Sequence, residues 1–348
     1  MNTMQAAVLY GPEDVRIEEM PIEEPGEGEV RVRIYAALTC GTDVKVYRRG
    51  YHARMIRPPA LFGHEFAGVI EAIGPNVQGW QVGQRVVAAN SAPCGRCLFC
   101  RRRQPELCRD LLFLNGAYAE TILVPARIVA TNLLPIPPHL DFSEAALVEP
   151  LACVVHGLER LFIRPGESVA VLGLGPIGLL FVRLCVLAGA RVLAVGRREG
   201  RLALAKALGA DKVFDLQAGE EVFQHLKSLT EEGLGADWVI EAVGTPQAWE
   251  NAIALARPGG TVCLFGGCPA GSSIALDTHR IHYEEVTLTS AFHHTPSAVR
   301  QALALLSEGK IPTNLFLQHW AKLSQLPDVL ARLANGTLDA VKVVVTPA

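Results

Sequence analysis

Four closely spaced cysteines are the residues of this chain whose types and spacing most directly specify chemistry. Cys94, Cys97, Cys100 and Cys108 form the pattern C-x2-C-x2-C-x7-C. A set of four soft thiolates suits tetrahedral structural zinc. A [4Fe–4S] cluster is the competing interpretation, although its common pattern continues with x3-C-P after C-x2-C-x2-C. Disulfides are less favoured because the nine cysteines are an odd number. We therefore predict a structural-zinc lobe at about 90–110.

A second group of metal-ligand types is scattered along the chain. Cys40 begins the sequence Cys-Gly-Thr-Asp, His64 and Glu65 are adjacent in a glycine-flanked apolar stretch, and Glu149 precedes a proline. Thiolate, imidazole and carboxylate are the ligands of catalytic zinc, which keeps one position open for water or substrate. A lone His64 would equally fit a structural role, so this prediction requires the fold to bring the group together.

A glycine pattern of the form G-x-G-x-x-G occupies residues 173–178. It follows an apolar run that reads as a strand and opens a run that reads as a helix, which is the context that gives the pattern meaning. In that context the glycines permit a tight turn, close approach of a pyrophosphate and close helix–strand packing, and the helix N-terminus faces the phosphates. The predicted cofactor-binding residues of this loop are Gly173, Leu174, Gly175, Pro176, Ile177 and Gly178.

The end of the next predicted strand bears on the choice between NAD and NADP. An acidic residue there would bind the ribose 2′-hydroxyl and disfavour a 2′-phosphate. This strand ends instead in Gly196, Arg197 and Arg198. Because guanidinium groups bind phosphate in a bidentate manner, the sequence favours NADP(H) over NAD(H). The alternative is that both arginines face solvent while NAD binds through other contacts.

The hydrophobic pattern along the chain indicates an α/β protein whose character changes near residue 150. Residues 1–150 read as short strands broken by glycine and proline, whereas residues 151–290 alternate apolar strands with helical stretches. Such alternation predicts a parallel sheet flanked by helices. The predicted strands include Val30–Ile34, Ser168–Leu172, Arg191–Val195, Trp238–Glu241, Thr261–Phe265 and Val341–Thr346, and the predicted helices are Ile177–Ala188, Arg201–Leu208 and Ala298–Ser307.

Composition excludes several classes of function. The 348 residues carry a net charge of −3, half are apolar and 19% are charged, as expected for a soluble globular protein of two domains. No long basic run predicts nucleic-acid binding, and no apolar run is long enough to predict a membrane span. No secretory leader is apparent, so we expect a cytoplasmic protein, in which metal binding is a more usual role for cysteines than disulfide formation.

Taken together, these motifs resemble the zinc-dependent medium-chain dehydrogenases of the alcohol, polyol and threonine dehydrogenase kind. The resemblance runs from end to end and implies a GroES-like β-rich catalytic domain (1–150 and 291–348) split around a Rossmann domain with a doubly wound parallel sheet (151–290). It also implies a homodimer or homotetramer. The motifs that carry it are Cys40-Gly41-Thr42-Asp43, the stretch 63–68, the four cysteines, Glu149-Pro150 and the loop 173–178.

The resemblance also implies roles for individual residues. Catalytic zinc would be held by Cys40 and His64, with either Glu65 or Glu149 as the third ligand. Thr42 matches the hydroxyl that bonds the substrate oxygen and starts a proton relay while hydride passes to the nicotinamide. Many relatives continue that relay with a histidine three residues later, where this chain has Lys45. Of the other histidines, His293 and His294 fit either a substrate pocket or a turn, and His52 reads as a surface residue.

The surroundings of Glu149 resemble the sorbitol dehydrogenase branch, which favours a polyol or another secondary alcohol as the substrate. L-Threonine 3-dehydrogenase is the alternative activity, because those enzymes share Cys-Gly-Thr-Asp but usually differ around Glu149. A metal-free reductase of the same superfamily fits less well, since the metal-ligand residues are present. A cofactor-binding protein without activity is the alternative from a different class.

Overall fold

The computed structural model describes residues 2–52, 54–219 and 221–347, and the chain divides into two units. The first unit comprises Met1–Ala152 and His294–Ala348, and the second comprises Cys153–His293. These divisions fall a few residues from the expected domain boundaries at 150 and 290. Each unit has a β-sheet and a hydrophobic core of its own.

The first unit is built mainly of short strands, as the dense glycines and prolines indicate. Its elements before residue 150 are β1 (Thr3–Gly11), β2 (Asp14–Pro21), β3 (Val30–Leu38), α1 (Gly41–Arg49), β4 (Ala60–Leu61), β5 (Phe66–Ile73), β6 (Arg85–Ala88), β7 (Ser91–Ala92), α2 (Leu98–Arg101), β8 (Leu112–Phe113), β9 (Thr121–Val124), α3 (Ala126–Asn132), β10 (Leu133–Pro135) and α4 (Phe142–Ala145). Helix α5 (Val148–Leu158) follows.

The second unit alternates strands and helices. Its elements are β11 (Ser168–Leu172), α6 (Pro176–Leu187), β12 (Arg191–Gly196), α7 (Glu199–Ala207), β13 (Lys212–Asp215), α8 (Glu221–Ser228), β14 (Ala236–Glu241), α9 (Pro246–Leu255), β15 (Ala256–Leu264), α10 (Thr278–His282) and β16 (Thr287–Thr289). The chain then returns to the first unit with α11 (Pro296–Ser307), β17 (His319–Lys322), α12 (Leu326–Asn335) and β18 (Val343–Thr346).

The main sheet of the first unit pairs the C-terminal strand of the chain with β3. Its strand order is β10-β6-β5-β3-β18-β17, with β9 also paired to β3. Strand β3 alternates apolar and charged residues, and Val32 and Ile34 are buried while Arg33 is exposed, as the period of two requires. The C-terminal β18 pairs antiparallel with β3 through Val344 and Leu38. This pairing brings the last residues of the chain next to the segment that contains Cys40.

The sheet of the second unit has the strand order β13-β12-β11-β14-β15-β16, and every pair is parallel. Numbered along the chain this is 3-2-1-4-5-6, the order of Rossmann dinucleotide-binding folds. All five residues of β11 are buried, as expected for a central parallel strand covered on both faces. The strand order reverses between β11 and β14, so the glycine loop after β11 lies at the position where such folds bind ligands.

The predicted α/β fold class is confirmed, and several elements have nearly the predicted bounds. Strand β11 has the bounds predicted from the sequence, and α6 begins one residue before the predicted helix, at Pro176. Strand β3 continues past Ile34 to Leu38. The sequence pattern did not predict this extension, because the residues that follow are apolar on both faces of the strand and the alternation is lost. Among the described residues, no helix combines the length and apolar character that crossing a membrane requires.

Candidate metal and dinucleotide sites

Cys40 is fixed by the start of helix α1. It is the N-cap residue, and its Sγ accepts the N–H of Thr42 at 3.4 Å. In return, the carboxylate of Asp43 accepts the backbone N–H of Cys40 at 2.9 Å, which completes a capping box. The local sequence Cys-Gly-Thr-Asp therefore forms a reciprocal cap that holds the thiol in one place at the helix N-terminus.

Asp43 also contacts His64, and both side chains are buried. Its Oδ1 lies 3.1 Å from His64 Nδ1, and its Oδ2 accepts the hydroxyl of Tyr118 at 2.5 Å. A carboxylate at Nδ1 fixes the orientation of the imidazole and leaves Nε2 for a metal, as second-shell carboxylates do in zinc proteins. The same aspartate thus positions two candidate ligands, Cys40 through the backbone and His64 through its ring.

Charge pairing outweighs burial at this contact. Burial by itself would lower the pKa of His64, but the Asp43 carboxylate raises that pKa well above its ordinary value. Burial would likewise raise the pKa of Asp43, yet His64 and the hydrogen bonds from Tyr118 and Cys40 hold it below its usual range. Asp43 is therefore ionised at neutral pH, which is the state that a positioning carboxylate requires.

Glu65 points to a partner at the other end of the chain. Both of its carboxylate oxygens accept hydrogen bonds from the Lys342 ammonium, and both side chains are fully buried. Backbone hydrogen bonds hold the two segments together, because Thr39 donates to the Val343 carbonyl at 3.1 Å and the Val343 N–H donates to Thr39 Oγ1 at 2.9 Å. Burial would lower the pKa of Lys342, but the attraction of Glu65 raises it, so the ammonium stays charged.

The donor set fits a divalent cation. Ligand atoms of Cys40, His64 and Glu65 all lie within 4.8 Å of one another. Burial raises the pKa of Glu65 to about 7, and the negative charge of Glu149 adds to this effect despite the opposing Lys342. A metal ion would add positive charge to this group of buried acidic side chains, beyond that of Lys342. Thiolate, imidazole and carboxylate are also the donor types that zinc takes.

Glu149 lies among further buried polar side chains. It is buried in the first turn of α5, and its Oε1 is 4.0 Å from Nε2 of the buried His294. The same His294 nitrogen lies 3.2 Å from Oδ1 of Asn90. Asn90 is 1% exposed, and its Nδ2 has no hydrogen-bond partner among the residues that the structure describes. The candidate ligand Glu149 therefore has buried polar side chains, His294 and Asn90, in its surroundings.

The four-cysteine lobe has the dimensions of a tetrathiolate zinc site. The sulfur of Cys100 lies 4.0 Å from that of Cys94 and 3.5 Å from that of Cys97, and Cys97 and Cys108 are 3.9 Å apart. A tetrahedron of Zn–S bonds of about 2.3 Å has edges of about 3.8 Å. Disulfide sulfurs would be about 2.05 Å apart, and a cubane cluster would hold its four ligands further apart. Backbone N–H groups, first that of Cys100, lower the pKa of Cys97 to about 6, which favours the thiolate.

The glycine loop has the geometry that a dinucleotide requires. Gly173 has a φ of 95°, in the left-handed region, and a Cβ on Gly178 would lie 1.7 Å from the Gly173 carbonyl oxygen. A Cβ on Gly175, by contrast, would meet no protein atom within 4 Å, so space remains open in front of the loop. Gly175 is the N-cap of α6, and the free N–H groups of that helix start face this space.

A cavity of about 400 Å³ continues from the loop to the end of β12. Its walls include Gly173 and Gly175 on one side and Arg197, Arg198 and Arg201 on another. Arg197 and Arg198 are exposed, and the carbonyl of Arg197 accepts the side-chain amide of Gln217 at 2.8 Å. The cavity thus joins a phosphate-binding helix terminus to a cluster of guanidinium groups.

The remaining predicted residues occupy varied surroundings. Thr42 is partly buried beside Cys40, whereas Lys45 is exposed on α1. His52, which we expected to be a surface residue, is half-buried, and its Nδ1 accepts the N–H groups of Arg54 and Met55 at 3.2 and 3.1 Å. His293 has a φ of 61°, as expected at a turn.

The sequence patterns did not identify Asp43, Tyr118, Asn90 or Lys342 as neighbours of the candidate metal ligands. Two of them carry signals that could have been noticed. Asp43 is at the third helical position after Cys40, where a capping-box acid is expected. Lys342 is a lone cation in the apolar run 340–345, and a buried lysine requires an acidic partner.

Comparisons with known proteins agree with this geometry. Residues 26–137 match the family model of the alcohol dehydrogenase GroES-like domain, and residues 176–308 match that of the zinc-binding dehydrogenases. The chain is 30% identical to sorbitol dehydrogenase from Bacillus subtilis (99% of this chain, 98% of the relative) and 32% identical to L-threonine 3-dehydrogenase from the same species (95% and 94%).

A solved structure shows that the similarity includes the three-dimensional fold. A protein from Sinorhizobium meliloti 1021, described as a zinc-binding dehydrogenase and solved with NADP bound, superposes with a TM-score of 0.91 at 32% identity, over 100% of both chains. The match includes both units of this chain. The chain therefore belongs to the zinc-binding dehydrogenase family, and it is an NAD(P)-dependent oxidoreductase with a GroES-like and a Rossmann part.

Proposed function

We propose that this chain is a zinc- and NADP(H)-dependent dehydrogenase that interconverts a secondary alcohol, in particular a polyol or sugar alcohol, and the corresponding ketone. The observation that carries the proposal is the convergence of donor atoms from Cys40, His64 and Glu65 within 4.8 Å, with the imidazole and the carboxylate buried. A non-catalytic cofactor-binding protein would have no need for such a costly buried cluster.

The proposal assigns two metal ions with different roles. Cys94, Cys97, Cys100 and Cys108 hold a structural zinc that closes their loop. Cys40 and His64, with Glu65 or Glu149 as the third ligand, hold a catalytic zinc. When bound there, the metal supplies Lewis acidity, which favours loss of the proton from an alcohol oxygen.

The chain's own residues bind, orient and move the proton. Asp43 holds His64 in the orientation that leaves Nε2 toward the metal, and it also fixes Cys40 through the helix cap. The Thr42 hydroxyl accepts a hydrogen bond from the substrate hydroxyl, and as it takes the substrate proton it passes its own proton outward toward solvent. Lys45 is exposed, so it is not assigned the next step of the relay. A nicotinamide cofactor held at the glycine loop would supply the hydride acceptor, and the protein would hold cofactor and substrate in reacting orientation.

NADP(H) is proposed because of the charges around the cavity of the second unit. The 2′-phosphate carries negative charge, and Arg197 and Arg198 line the same cavity as the glycine loop. Strand β12 ends in Gly196 without an acidic residue that would repel that phosphate. The similar structure from Sinorhizobium meliloti 1021 contains NADP, which supports the same preference.

A polyol is proposed because polar groups surround Glu149. Asn90 and His294 are buried there and would provide hydrogen bonds for a substrate with several hydroxyl groups. The relative named sorbitol dehydrogenase acts on such a substrate. The other relative, L-threonine 3-dehydrogenase, keeps L-threonine as the second candidate, and both compounds belong in one substrate screen.

Three measurements on the purified protein test the proposal. Metal analysis should find two zinc ions per chain, whereas one or none would contradict the catalytic site. Fluorescence titration should show much tighter binding of NADPH than of NADH, and equal or tighter NADH binding would refute the assignment of Arg197 and Arg198. A screen of polyols, simple secondary alcohols and L-threonine should give the highest kcat/KM for a polyol.

We also propose a domain division, a cellular compartment and an oligomeric state for the enzyme. Residues 1–150 and 291–348 form its catalytic domain, and residues 151–290 form its cofactor domain. Four thiolates held for zinc require a reducing compartment, and we propose the cytoplasm. The enzyme is proposed to be a homodimer or homotetramer, which light scattering of the purified protein would test.

A further inference from the structure

Lys342 forms a buried ion pair with the candidate ligand Glu65, and the proposed function gives Lys342 no role. Both side chains have no solvent exposure, and the Lys342 ammonium contacts both oxygens of the Glu65 carboxylate. Glu65 in turn belongs to the ligand group of Cys40 and His64. A fully buried lysine therefore occupies a place beside a candidate metal ligand, where the positive charges of a lysine and a metal ion repel each other.

Charge balance gives this arrangement a purpose. With Cys40 as a thiolate and Asp43, Glu65 and Glu149 ionised, the local groups carry four negative charges, against two positive charges on zinc. The Lys342 ammonium supplies one further positive charge, and the charges of both Glu65 and Glu149 act on it. Lys342 therefore reduces the excess negative charge that remains in this buried environment when the metal is bound.

Lys342 also competes with the metal for the same carboxylate. Both Glu65 oxygens are engaged by the ammonium, so a metal that takes Glu65 as a ligand must draw it away from Lys342. We propose that Lys342 is a positioning residue that restrains Glu65 from permanent coordination, so that the catalytic metal keeps a position open for substrate. This inference rests on the catalytic metal of the proposed function.

The opposite interpretation is that Lys342 serves only to stabilise the fold around the site. The two interpretations predict opposite effects on the metal. If Lys342 only stabilises the fold, its removal loosens the site and zinc leaves faster. If Lys342 restrains Glu65, its removal takes away a repelling charge and frees a carboxylate ligand, so zinc leaves more slowly.

The test measures metal release from the zinc-loaded protein to a coloured chelator. The variants are Lys342→Met, Lys342→Arg and the double variant Glu65→Gln/Lys342→Met. The matched control is Lys322→Met, which removes an exposed lysine from the neighbouring β17. The release phase that disappears in Cys40→Ser belongs to the catalytic site, and the remaining phase belongs to the four-cysteine lobe. Metal content of the unaltered protein is measured first, and absence of the Cys40-dependent zinc would refute the proposed function itself.

We expect Lys342→Met to slow the Cys40-dependent phase by at least about tenfold, and Lys342→Arg to restore release close to that of the unaltered protein. The double variant should lose the slowing, because the restrained carboxylate is gone. With cobalt in the catalytic site, Lys342→Met should weaken the visible d–d bands as an additional ligand joins. Lys342→Gln keeps a donor toward Glu65 without the charge, and it replaces Lys342→Met if that variant does not fold.

Several outcomes would overturn the proposal. Release from Lys342→Met that is faster than, or equal to, that of the Lys322→Met control would show that Lys342 does not restrain a metal ligand. Slowing that persists in the double variant would show that Lys342 acts on something other than Glu65. An unchanged cobalt spectrum in Lys342→Met would contradict the additional ligand.

Discussion

The Asp43 carboxylate lies 3.1 Å from Nδ1 of His64, and both residues are buried. Asp43 also caps the helix whose N-cap residue is Cys40. One aspartate therefore links the positions of two candidate metal ligands that are far apart in the sequence. Its place next to the metal ligands, rather than among them, makes it a sensitive site for mutation.

Replacing Asp43 with asparagine should weaken the catalytic metal site and leave the four-cysteine site intact. The amide has nearly the same shape but lacks the charge that orients the His64 ring. Removal of such second-shell partners typically costs about 10- to 100-fold in metal affinity or activity. Competition with a chelator should show this loss for one of two zinc ions. Tyr118→Phe, which removes only the hydroxyl bond to Asp43, should have a smaller effect.

Replacing Cys97 with serine should release the structural zinc and lower thermal stability. A structural zinc site contributes directly to folding free energy, and three thiolates do not complete the tetrahedron. Metal analysis should find one zinc per chain in Cys97→Ser, and calorimetry should show a lower Tm. Cys40→Ser is the matched control, since it should also lose one zinc while the lobe keeps its own. Equal thermal stability of Cys97→Ser and the unaltered protein would contradict a structural role.

Two glycines of the dinucleotide loop should respond differently to alanine. Gly178→Ala places a methyl group against the Gly173 carbonyl oxygen and should destabilise the second unit. Gly175→Ala meets no protein atom, so the protein should keep its stability, but the methyl group would occupy space where the pyrophosphate approaches. Calorimetry and cofactor titration distinguish the two effects. A Gly175→Ala protein that binds NADPH normally would argue against this loop as the phosphate site.

Arg197→Ala and Arg198→Ala should each raise the Kd for NADPH by about 10- to 100-fold, because each removes a charge-assisted contact to the 2′-phosphate. Binding of NADH should change little, since NADH lacks that phosphate. Fluorescence titration with both cofactors measures the ratio. Lys206→Ala removes an exposed cation from α7 outside the cavity and serves as the control. Parallel loss of NADH binding in the arginine variants would indicate a general structural effect instead.

Asp237 should contribute to stability above acidic pH. Burial would raise its pKa, but hydrogen bonds from Ser168 and Arg257, at 2.6 to 2.8 Å, hold that pKa below its ordinary value. A lowered pKa gives stability that is present above the unfolded pKa and is lost as the pH falls through the folded pKa. Asp237→Asn should therefore have a lower Tm than the unaltered protein at pH 7, and the difference should shrink below about pH 4. A difference independent of pH would contradict this assignment.

The sequence predicted local features with good success because each depends on neighbouring residues. The spacing of Cys94 to Cys108 already implies a small loop of four thiolates, and the distances agree with it. The run Ser168–Leu172 followed by a glycine pattern defines a strand, a turn and a helix start through backbone geometry alone. The sequence likewise shows directly that Gly196, Arg197 and Arg198 stand at the end of β12, without an acidic residue.

Contacts between segments that are distant in the sequence could not be predicted from local patterns. Asp43 lies in α1 and His64 just before β5, and no periodic pattern in the sequence predicts that these two side chains meet. Lys342 reaches Glu65 because β18 pairs with β3, a register set by long-range hydrogen bonds. His294 contacts Asn90 across 204 positions of the chain, a separation that no local pattern can bridge.

The sequence by itself determined the side-chain types of the candidate ligands, the four-cysteine loop and the glycine loop, because these are encoded in short stretches where spacing fixes geometry. Only the tertiary structure decided which charges meet in the interior: Asp43 with His64, and Lys342 with Glu65. Burial makes each of these charges costly unless it is paired, so the packing of the whole unit, rather than any local pattern, selects the partner.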